Sequence, residues 1–265
     1  MKKNRVENYY DLHAEQEWQR LDRHRTEFAV TIKALEEHLP PAPCNIIDIG
    51  GGPGRYAIAL AAKGYRVTLL DLADKNLIFA RQKASEFGVH LEKTLQGNAL
   101  DLSPFGVDTY DAVLLMGPLY HLHQTSDRIT AVREAKRVLK PGGLIFATFI
   151  TRYAPFRDYA ASDPQAVFDE REQWNQMLLD GLNFGEGFPD ANFSLPKDDI
   201  QLMESEGFAT LQVLGVEGIA AGHEDKLNLL QGDAWEYWVD LNYTFARDPA
   251  LHAASDHLLY IGKKE

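Results

Sequence analysis

The spacing of apolar residues changes along the chain in a way that predicts alternating helices and strands. Apolar residues recur at helical spacing from Trp18 to Leu39, and the prolines at 40, 41 and 43 end the pattern, which predicts one long N-terminal helix. Short apolar runs then predict strands at 44–49, 66–70, 89–96, 110–116 and 144–150. The segments between them predict helices at 56–63, at 74–87 and from a Ser126 N-cap to the turn at 141–143. This order favours an α/β fold with a doubly wound, mostly parallel sheet.

The regular alternation stops after Thr151. The segment 151–196 combines a predicted helix near 167–179 with a loop at 181–193 that is rich in glycine and aromatic residues. We interpret it as a helical and loop insertion over the substrate side, followed by a helix at 197–206, a strand at 208–214, a helix at 226–245 and a strand at 257–262. We expect a single domain over 1–265, divided into an N-terminal helical element (1–43), a cofactor-binding core (44–150), the insertion (151–196) and a C-terminal part of the sheet (197–265).

The composition limits the classes of partner. A formal net charge of -12 and a pI near 5.2 oppose a broad nucleic-acid surface, because such surfaces use Lys and Arg to replace counterions, and we expect no DNA partner. The single cysteine, Cys44, excludes a disulfide framework. The first ten residues have no apolar signal core and no stretch is long and apolar enough to span a bilayer, so we expect a cytoplasmic protein without a membrane partner.

A glycine-rich loop follows the first predicted strand. Gly50, Gly51, Gly52 and Gly54 let the backbone turn sharply into a helix and let a ligand approach where a β-carbon would block it. A purely structural tight turn would give the same pattern. Asp48 stands before the loop, where its carboxylate can hold the loop amides and the ammonium group of a methionine moiety, whereas it would repel a pyrophosphate. These features favour a methionine-bearing ligand over a dinucleotide.

Polar residues also end the second and third predicted strands. Asp71 lies about 20 positions beyond the first glycine, where an acid can accept hydrogen bonds from both ribose hydroxyls, or can cap the following helix. Asn98 and Ala99 follow the third strand. The Asn98 side chain and the Ala99 amide can bind adenine, although asparagine is also a common turn residue.

Taken together, these motifs resemble those of class I S-adenosylmethionine-dependent methyltransferases over residues 44–150. The resemblance rests on Asp48 to Gly54, on Asp71, on Asn98-Ala99 and on the hairpin at 139–143; at the position of Asn98 the family more often has Asp. It implies a Rossmann-like fold, S-adenosylmethionine as cofactor and S-adenosylhomocysteine as product. It also implies cofactor contacts from Leu72 and Met116, and from Tyr10 and Arg20 in an N-terminal element that is similar to one that closes over the cofactor.

The segment after the fourth strand, from Met116 to His123, contains the candidate catalytic residues. Methyl transfer from a sulfonium requires alignment of the nucleophile and exclusion of water, with no obligatory catalytic residue. His121 has an ordinary pKa suited to accepting a proton near neutrality, or is a structural histidine. Tyr120 is interpreted either as a side chain that faces the sulfonium of the cofactor or as a residue that packs in the core. Aromatic residues of the insertion are interpreted either as a lid over an organic substrate or as core: Tyr153, Phe156, Trp174, Phe184, Phe188 and Phe193.

The leading functional prediction is methyl transfer to a small organic molecule. The order of the N-terminal helix, the insertion and the late helix also resembles bacterial methyltransferases that modify tRNA, which is the alternative. A noncatalytic module that binds S-adenosylmethionine is a third hypothesis, and a nicotinamide oxidoreductase is disfavoured by Asp48 and Arg55. Asp, Glu and His residues lack metal-ligand spacing, so we expect no metal. The sequence does not predict the acceptor atom or the oligomeric state.

Overall fold

A mixed sheet of nine strands forms the centre of the molecule in the computed structural model, which describes residues 5–183 and 189–265. The strands are β1 (Asn45–Ile49), β2 (Arg66–Asp71), β3 (Lys93–Gln96), β4 (Tyr110–Leu115), β5 (Leu139–Thr151), β6 (Leu182–Asn183), β7 (Ala191–Ser194), β8 (Phe208–Gly215) and β9 (His257–Lys264). Strands β3, β2, β1, β4 and β5 lie side by side and parallel. Strand β9 runs antiparallel between β5 and β8, and the β6–β7 pair continues from the end of β5.

Helices cover both faces of this sheet. They are α1 (Arg5–Arg23), α2 (Arg25–His38), α3 (Arg55–Ala62), α4 (Asp74–Glu86), α5 (Thr125–Val138), α6 (Ala154–Ser162), α7 (Pro164–Asp169), α8 (Arg171–Asp180), α9 (Pro196–Ser205), α10 (Glu224–Leu227) and α11 (Gly232–Ala246). Short 3-10 helices occupy Pro118–His121, Gly218–Ala220 and Pro249–Ala254. The predicted doubly wound, mostly parallel α/β fold is therefore confirmed.

Strand β1 shows why both faces need covering. Ile46 packs into one apolar cluster with residues of α2, α3, α4 and α11, whereas Ile47 and Ile49 pack into a second cluster with α5 and α9. Successive side chains of a strand point to opposite faces, so a strand with consecutive apolar residues, such as Ile46 and Ile47, is buried on both sides. Full burial of one such side chain stabilises the fold by about 1.5–3 kcal/mol.

The N-terminal prediction was wrong in one respect: two helices replace the single long one. Helix α1 ends at Arg23 and α2 begins at Arg25, because His24 adopts non-helical angles (φ -110, ψ 58). The chain changes direction there, which brings the last turn of α1 against the first turn of α2. No proline or glycine marks this position, so periodicity alone gave no signal for it.

Several other boundaries differ from the sequence predictions. Helix α5 begins at Thr125 after an N-cap at Gln124, so Ser126 is not the cap, and β5 begins at Leu139 and runs through the predicted turn at 141–143. Strand β3 covers only the second half of the predicted run, since its pairing with β2 begins at Lys93. The predicted helix at 167–179 is the region of α7 and α8, and the predicted helix at 226–245 is divided between α10 and α11.

The aromatic residues of the insertion mainly form a core. Phe156 and Trp174 pack in a third cluster with Ile150 and Phe193, whereas Tyr153 is exposed. This arrangement agrees with the packing interpretation for three of the aromatic residues; the predictions on Phe184 and Phe188 lie outside the described residues. Among the described ranges, no helix combines the length and apolar character needed to cross a membrane.

Candidate functional site

One cavity of about 330 Å³ lies at the carboxyl ends of β1, β2, β3 and β4. Ligands of open α/β folds bind where adjacent strands diverge in connection order, and here β1 is flanked by β2 on one side and β4 on the other. Helix α1 forms part of the cavity wall. The residues that the sequence predicted and that line the cavity are Tyr10, Arg20, Asp48, Gly50, Gly51, Gly52, Asp71, Leu72, Asn98, Ala99, Met116, Tyr120 and His121.

The glycine loop forms the floor of the cavity. A β-carbon on Gly50 would lie 2.6 Å from the Pro118 side chain, so the close approach of the two loops requires glycine there. Gly52 has a φ of +57, and the nearest atom to a β-carbon built on it is Asn76 Nδ2 at 3.8 Å, which leaves the wall open on the cavity side. Gly54 does not line the cavity and instead lets α3 pack against Leu69 and α4. Its predicted cofactor contact is therefore corrected to a packing role.

Asp48 is buried beneath this loop, with 1% of its surface exposed. The backbone of Ala57 in α3 favours its charged form, and the described part of the chain shows no hydrogen bond from a loop amide to this carboxylate. Within 5–183 and 189–265, no hydrogen-bond partner reaches Asp48 Oδ2. Burial, followed by the charge of Asp71, raises the pKa of Asp48 to about 7. A buried carboxylate oxygen in the cavity wall suits a cationic group of a ligand.

Asp71 ends β2 and holds the loops around it. Its carboxylate accepts hydrogen bonds from the backbone of Gly52 (2.8 Å), from the backbone of Ala73 (2.9 Å) and from Asn76 Nδ2 (3.1 Å). It also lines the cavity, so the capping role and the ligand-facing position are combined in one side chain. Leu72 continues the wall, with its carbonyl fixed by a hydrogen bond from Gln96 Nε2 (2.9 Å).

Asn98 is a turn residue in this structure. Its Oδ1 accepts a hydrogen bond from the backbone of Leu100 at 3.0 Å, and its backbone forms an isolated bridge with Asp101. That bond fixes the side chain in the turn, and because an amide oxygen can accept a second hydrogen bond, the contact to the adenine amino group stays a prediction. Ala99 is buried and lies in the cavity wall, and the contact of its amide with adenine stays a prediction.

The N-terminal residues Tyr10 and Arg20 both reach the cavity from α1. Tyr10 Oη lies 2.7 Å from His121 Nε2. The Arg20 guanidinium donates two hydrogen bonds to Glu27, at 2.6 and 2.9 Å. The structure thus places these two residues where the family resemblance implied they would be.

His121 is neutral in this environment. Its Nδ1 lies 2.9 Å from the carbonyl oxygen of Asp190, which can only accept, so Nδ1 carries the proton and Nε2 accepts the hydrogen bond from Tyr10. Burial lowers the pKa of His121 to about 4. The pKa of His121 therefore differs from the ordinary value that the sequence analysis used, and the Tyr10 hydroxyl lies against its Nε2.

Tyr120 and Met116 complete this side of the cavity. The Tyr120 hydroxyl lies 3.4 Å from the Met116 carbonyl, and its ring makes an edge contact with that of His121 at 4.7 Å between centroids. Burial raises the pKa of Tyr120, which keeps the phenol protonated. The packing and lining interpretations of Tyr120 both describe its position.

Sequence reasoning missed a buried charged cluster beside the cavity. Glu27, Glu217 and His257 come together although they are far apart in the chain, and no local motif signals them. Glu217 accepts hydrogen bonds from Ser255 Oγ (2.6 Å), the His257 backbone (2.8 Å) and His257 Nδ1 (2.5 Å), while Glu27 is bound by Arg20. Donors of the protein thus already engage these carboxylates.

A parallel sheet with a glycine loop and a cavity at its carboxyl edge defines a Rossmann-like ligand-binding domain. Residues 47–147 match the family described as a methyltransferase domain, so this part of the chain is similar to the class that the resemblance predicted. A ubiquinone biosynthesis O-methyltransferase of Xanthomonas axonopodis pv. citri is 31% identical over 123 residues, which cover 46% of this chain and 50% of the relative. The chain thus spans about half the length of the curated relatives it matches.

Solved structures of the same fold include proteins with different described activities. A possible histamine N-methyltransferase of Thermotoga maritima aligns with a TM-score of 0.61 and 18% identity, covering 97% of this chain and 98% of that one. The [4+2]-cyclase SpnF aligns with a TM-score of 0.57 and 19% identity, covering 93% of this chain and 82% of that one. At these identities the likeness shows the fold.

Proposed function

We propose that this chain binds S-adenosylmethionine in the cavity and transfers its methyl group to a small organic molecule, releasing S-adenosylhomocysteine. The observation that carries the proposal is the single cavity that gathers Asp48, the glycine loop, Asp71 and the β4 segment at one edge of the sheet. Its volume of about 330 Å³ falls in the range of small-molecule sites.

The wall of the cavity fits the parts of this cofactor. The Asp48 carboxylate beneath the glycine loop suits the ammonium group as a counter-charge. Arg20 suits the carboxylate of the methionine moiety because its guanidinium retains further donors beyond the two given to Glu27. Asp71 suits the ribose hydroxyls, the backbone at Ala99 suits adenine, and the open side of Gly52 admits the ligand.

The cofactor, when bound, supplies a methyl group on a positively charged sulfur. The chain then positions the acceptor and excludes water, with α1 closing one side of the cavity. Tyr10 Oη is the polar atom next to His121 Nε2, so a proton leaving an acceptor hydroxyl or amine moves to Tyr10 as Tyr10 passes its own proton to His121. The low pKa of His121 makes this relay a weak base, which suits acceptors that lose their proton late in the reaction.

Two observations support a small organic acceptor. The relatives from Xanthomonas and Xylella are described as ubiquinone biosynthesis O-methyltransferases, whose names point to an organic substrate. The net charge of -12 opposes the dense phosphate contacts that a tRNA requires.

Calorimetric titration tests the proposal with S-adenosylmethionine and, separately, with NADH. Saturable binding of the first without the second supports the cofactor, and a screen with radiolabelled methyl groups against metabolites and tRNA then identifies the acceptor class. Binding of NADH alone overturns the proposal. Label in tRNA favours the tRNA-modifying alternative, and cofactor binding without transfer to either pool favours a noncatalytic module.

A further inference from the structure

Four charged residues form a continuous chain from the cavity to the ends of β8 and β9: the partly buried Arg20 and His257 and the buried Glu27 and Glu217. We name it the Arg20 network. Glu27 and Glu217 are 5% and 1% exposed. Only Arg20 of the four lines the cavity. Charged groups that are removed from water remain favourable only when they are paired and hydrogen-bonded, so the network exists because its members satisfy one another.

The break between α1 and α2 creates the first link of the network. Arg20 lies in the last turn of α1 and Glu27 in the first turn of α2, and the interruption at His24 lets the guanidinium meet the carboxylate in a two-bond pair. A second carboxylate competes for the same guanidinium, since Glu17 Oε2 lies 3.8 Å from Arg20 Nε and also lines the cavity. The pair with Glu27 therefore decides the side on which Arg20 is held.

The antiparallel pairing of β8 with β9 creates the other end. The register that sets Gly215 opposite Leu258 brings Glu217 to His257, whose Nδ1 lies 2.5 Å from Glu217 and 3.9 Å from Glu27. Burial opposes the charged form of His257, but attraction by Glu27 and Glu217 outweighs it and raises its pKa to about 9. A protonated His257 thus lies between the two carboxylates.

The charges around Glu27 determine the electrostatic potential near Arg20 in the cavity. Arg20 and His257 flank Glu27, so the negative charge of Glu27 is shared between two cations. Without His257, Glu27 would neutralise Arg20 alone, and nearby Glu17 would add negative potential where a carboxylate has to bind. Without Glu27, Glu17 would become the available partner for the guanidinium.

We propose that Glu27 and His257 are positioning residues that hold Arg20 for recognition of the carboxylate end of the cofactor. The proposal rests on the proposed function and deepens it. It assigns the Arg20 network a role in binding one part of the ligand, distinct from general support of the fold, and it predicts an effect that depends on whether the ligand has an amino-acid tail.

Calorimetry with two ligands tests this role. S-adenosylmethionine has the carboxylate, whereas 5′-methylthioadenosine has the same nucleoside and sulfur without the amino-acid tail. The variants Glu27→Gln and His257→Gln keep the side-chain size and remove the charge, and Arg20→Lys keeps the charge but loses the two-bond pair. His252→Gln is the matched control, because His252 is also a buried histidine near β8 and β9 but belongs to a different hydrogen-bond environment.

The three network variants should bind S-adenosylmethionine about tenfold or more weakly, the scale of one charge-assisted hydrogen bond, and should bind methylthioadenosine within about twofold of wild type. The His252→Gln control should leave both affinities unchanged even where it lowers the thermal unfolding temperature. Equal losses for both ligands, or no loss for S-adenosylmethionine, would overturn the proposal. Wild-type protein that binds neither ligand overturns the proposed function itself. If a Gln variant does not fold, Arg20→Lys decides by the same comparison.

Discussion

The buried carboxylate of Asp48 leads to a quantitative prediction about pH. Burial raises its pKa from an ordinary 3.8 to about 7, which corresponds to about 4 kcal/mol of unfavourable free energy in the folded protein once the group is ionised. The folded state then binds more protons than the unfolded state between these two values. Stability therefore falls as the pH rises through this window, the reverse of an aspartate in a salt bridge.

The substitution Asp48→Asn removes this titration and keeps the shape of the side chain. Between pH 5 and pH 8 the wild-type protein should lose about 2–3 kcal/mol more unfolding free energy than the variant, because at pH 5 part of the cost is already present. The rest of the pH dependence is common to both proteins, so the difference between them isolates this site. Urea unfolding followed by tryptophan fluorescence at both pH values measures it.

A control and a second readout complete this test. Asp101→Asn changes an exposed aspartate near the same edge of the sheet, whose pKa is lowered by hydrogen bonds with Ser103, and it should lose the same unfolding free energy between pH 5 and pH 8 as the wild type. At pH 8, Asp48→Asn should also bind S-adenosylmethionine about tenfold or more weakly, because the ammonium loses its counter-charge. Parallel pH curves for wild type and Asp48→Asn would refute the burial argument.

Four further predictions concern the cavity. Tyr10→Phe should lower kcat about 10- to 100-fold with little change in cofactor affinity. The control Tyr9→Phe should leave the steady-state kinetics unchanged. An unaltered kcat in Tyr10→Phe would exclude the proton relay from Tyr10 to His121. Asp71→Ala should weaken cofactor binding by about 1–3 kcal/mol in calorimetry, and unchanged affinity would remove it from the site. Gly52→Ala should abolish cofactor binding, because φ is +57 at this residue and the added methyl group would stand in the cavity wall. The control Gly88→Ala has a similar φ of +65 but lies outside the cavity wall, so it should lower only the thermal unfolding temperature. A chelator should leave methyl transfer unchanged, and complete loss of activity in EDTA would show a metal requirement.

Local signals explain which features of the site were predictable. The apolar run of β1 followed by glycines fixes a buried strand and a sharp turn within a few residues, and Asp71 follows the next strand at the matching position. Parallel strands end at the same edge, so residues at successive strand ends meet there whatever the tertiary details. This logic located the cavity without any knowledge of side-chain contacts.

Long-range pairing explains what could not be predicted. Glu217 and His257 meet only because of the β8–β9 register, and Arg20 meets Glu27 only because His24 interrupts a helical pattern that looks continuous. On an unbroken helix, residues seven apart are separated by two turns. Asn98 shows a different limit: its position at the cavity was predicted, but its local hydrogen bond from the Leu100 amide was not.

Asp71 shows that support of the fold and ligand binding are not exclusive at such an edge. Its three protein hydrogen bonds hold the glycine loop and the start of α4, and the same carboxylate lines the cavity. A ligand hydroxyl would therefore meet an acceptor that is already fixed in place, which reduces the ordering that binding requires. It follows that a substitution there lowers stability and affinity together, so a stability measurement alone cannot assign its role. Only the comparison of ligands, or of affinity with unfolding free energy in the same variant, separates the two contributions.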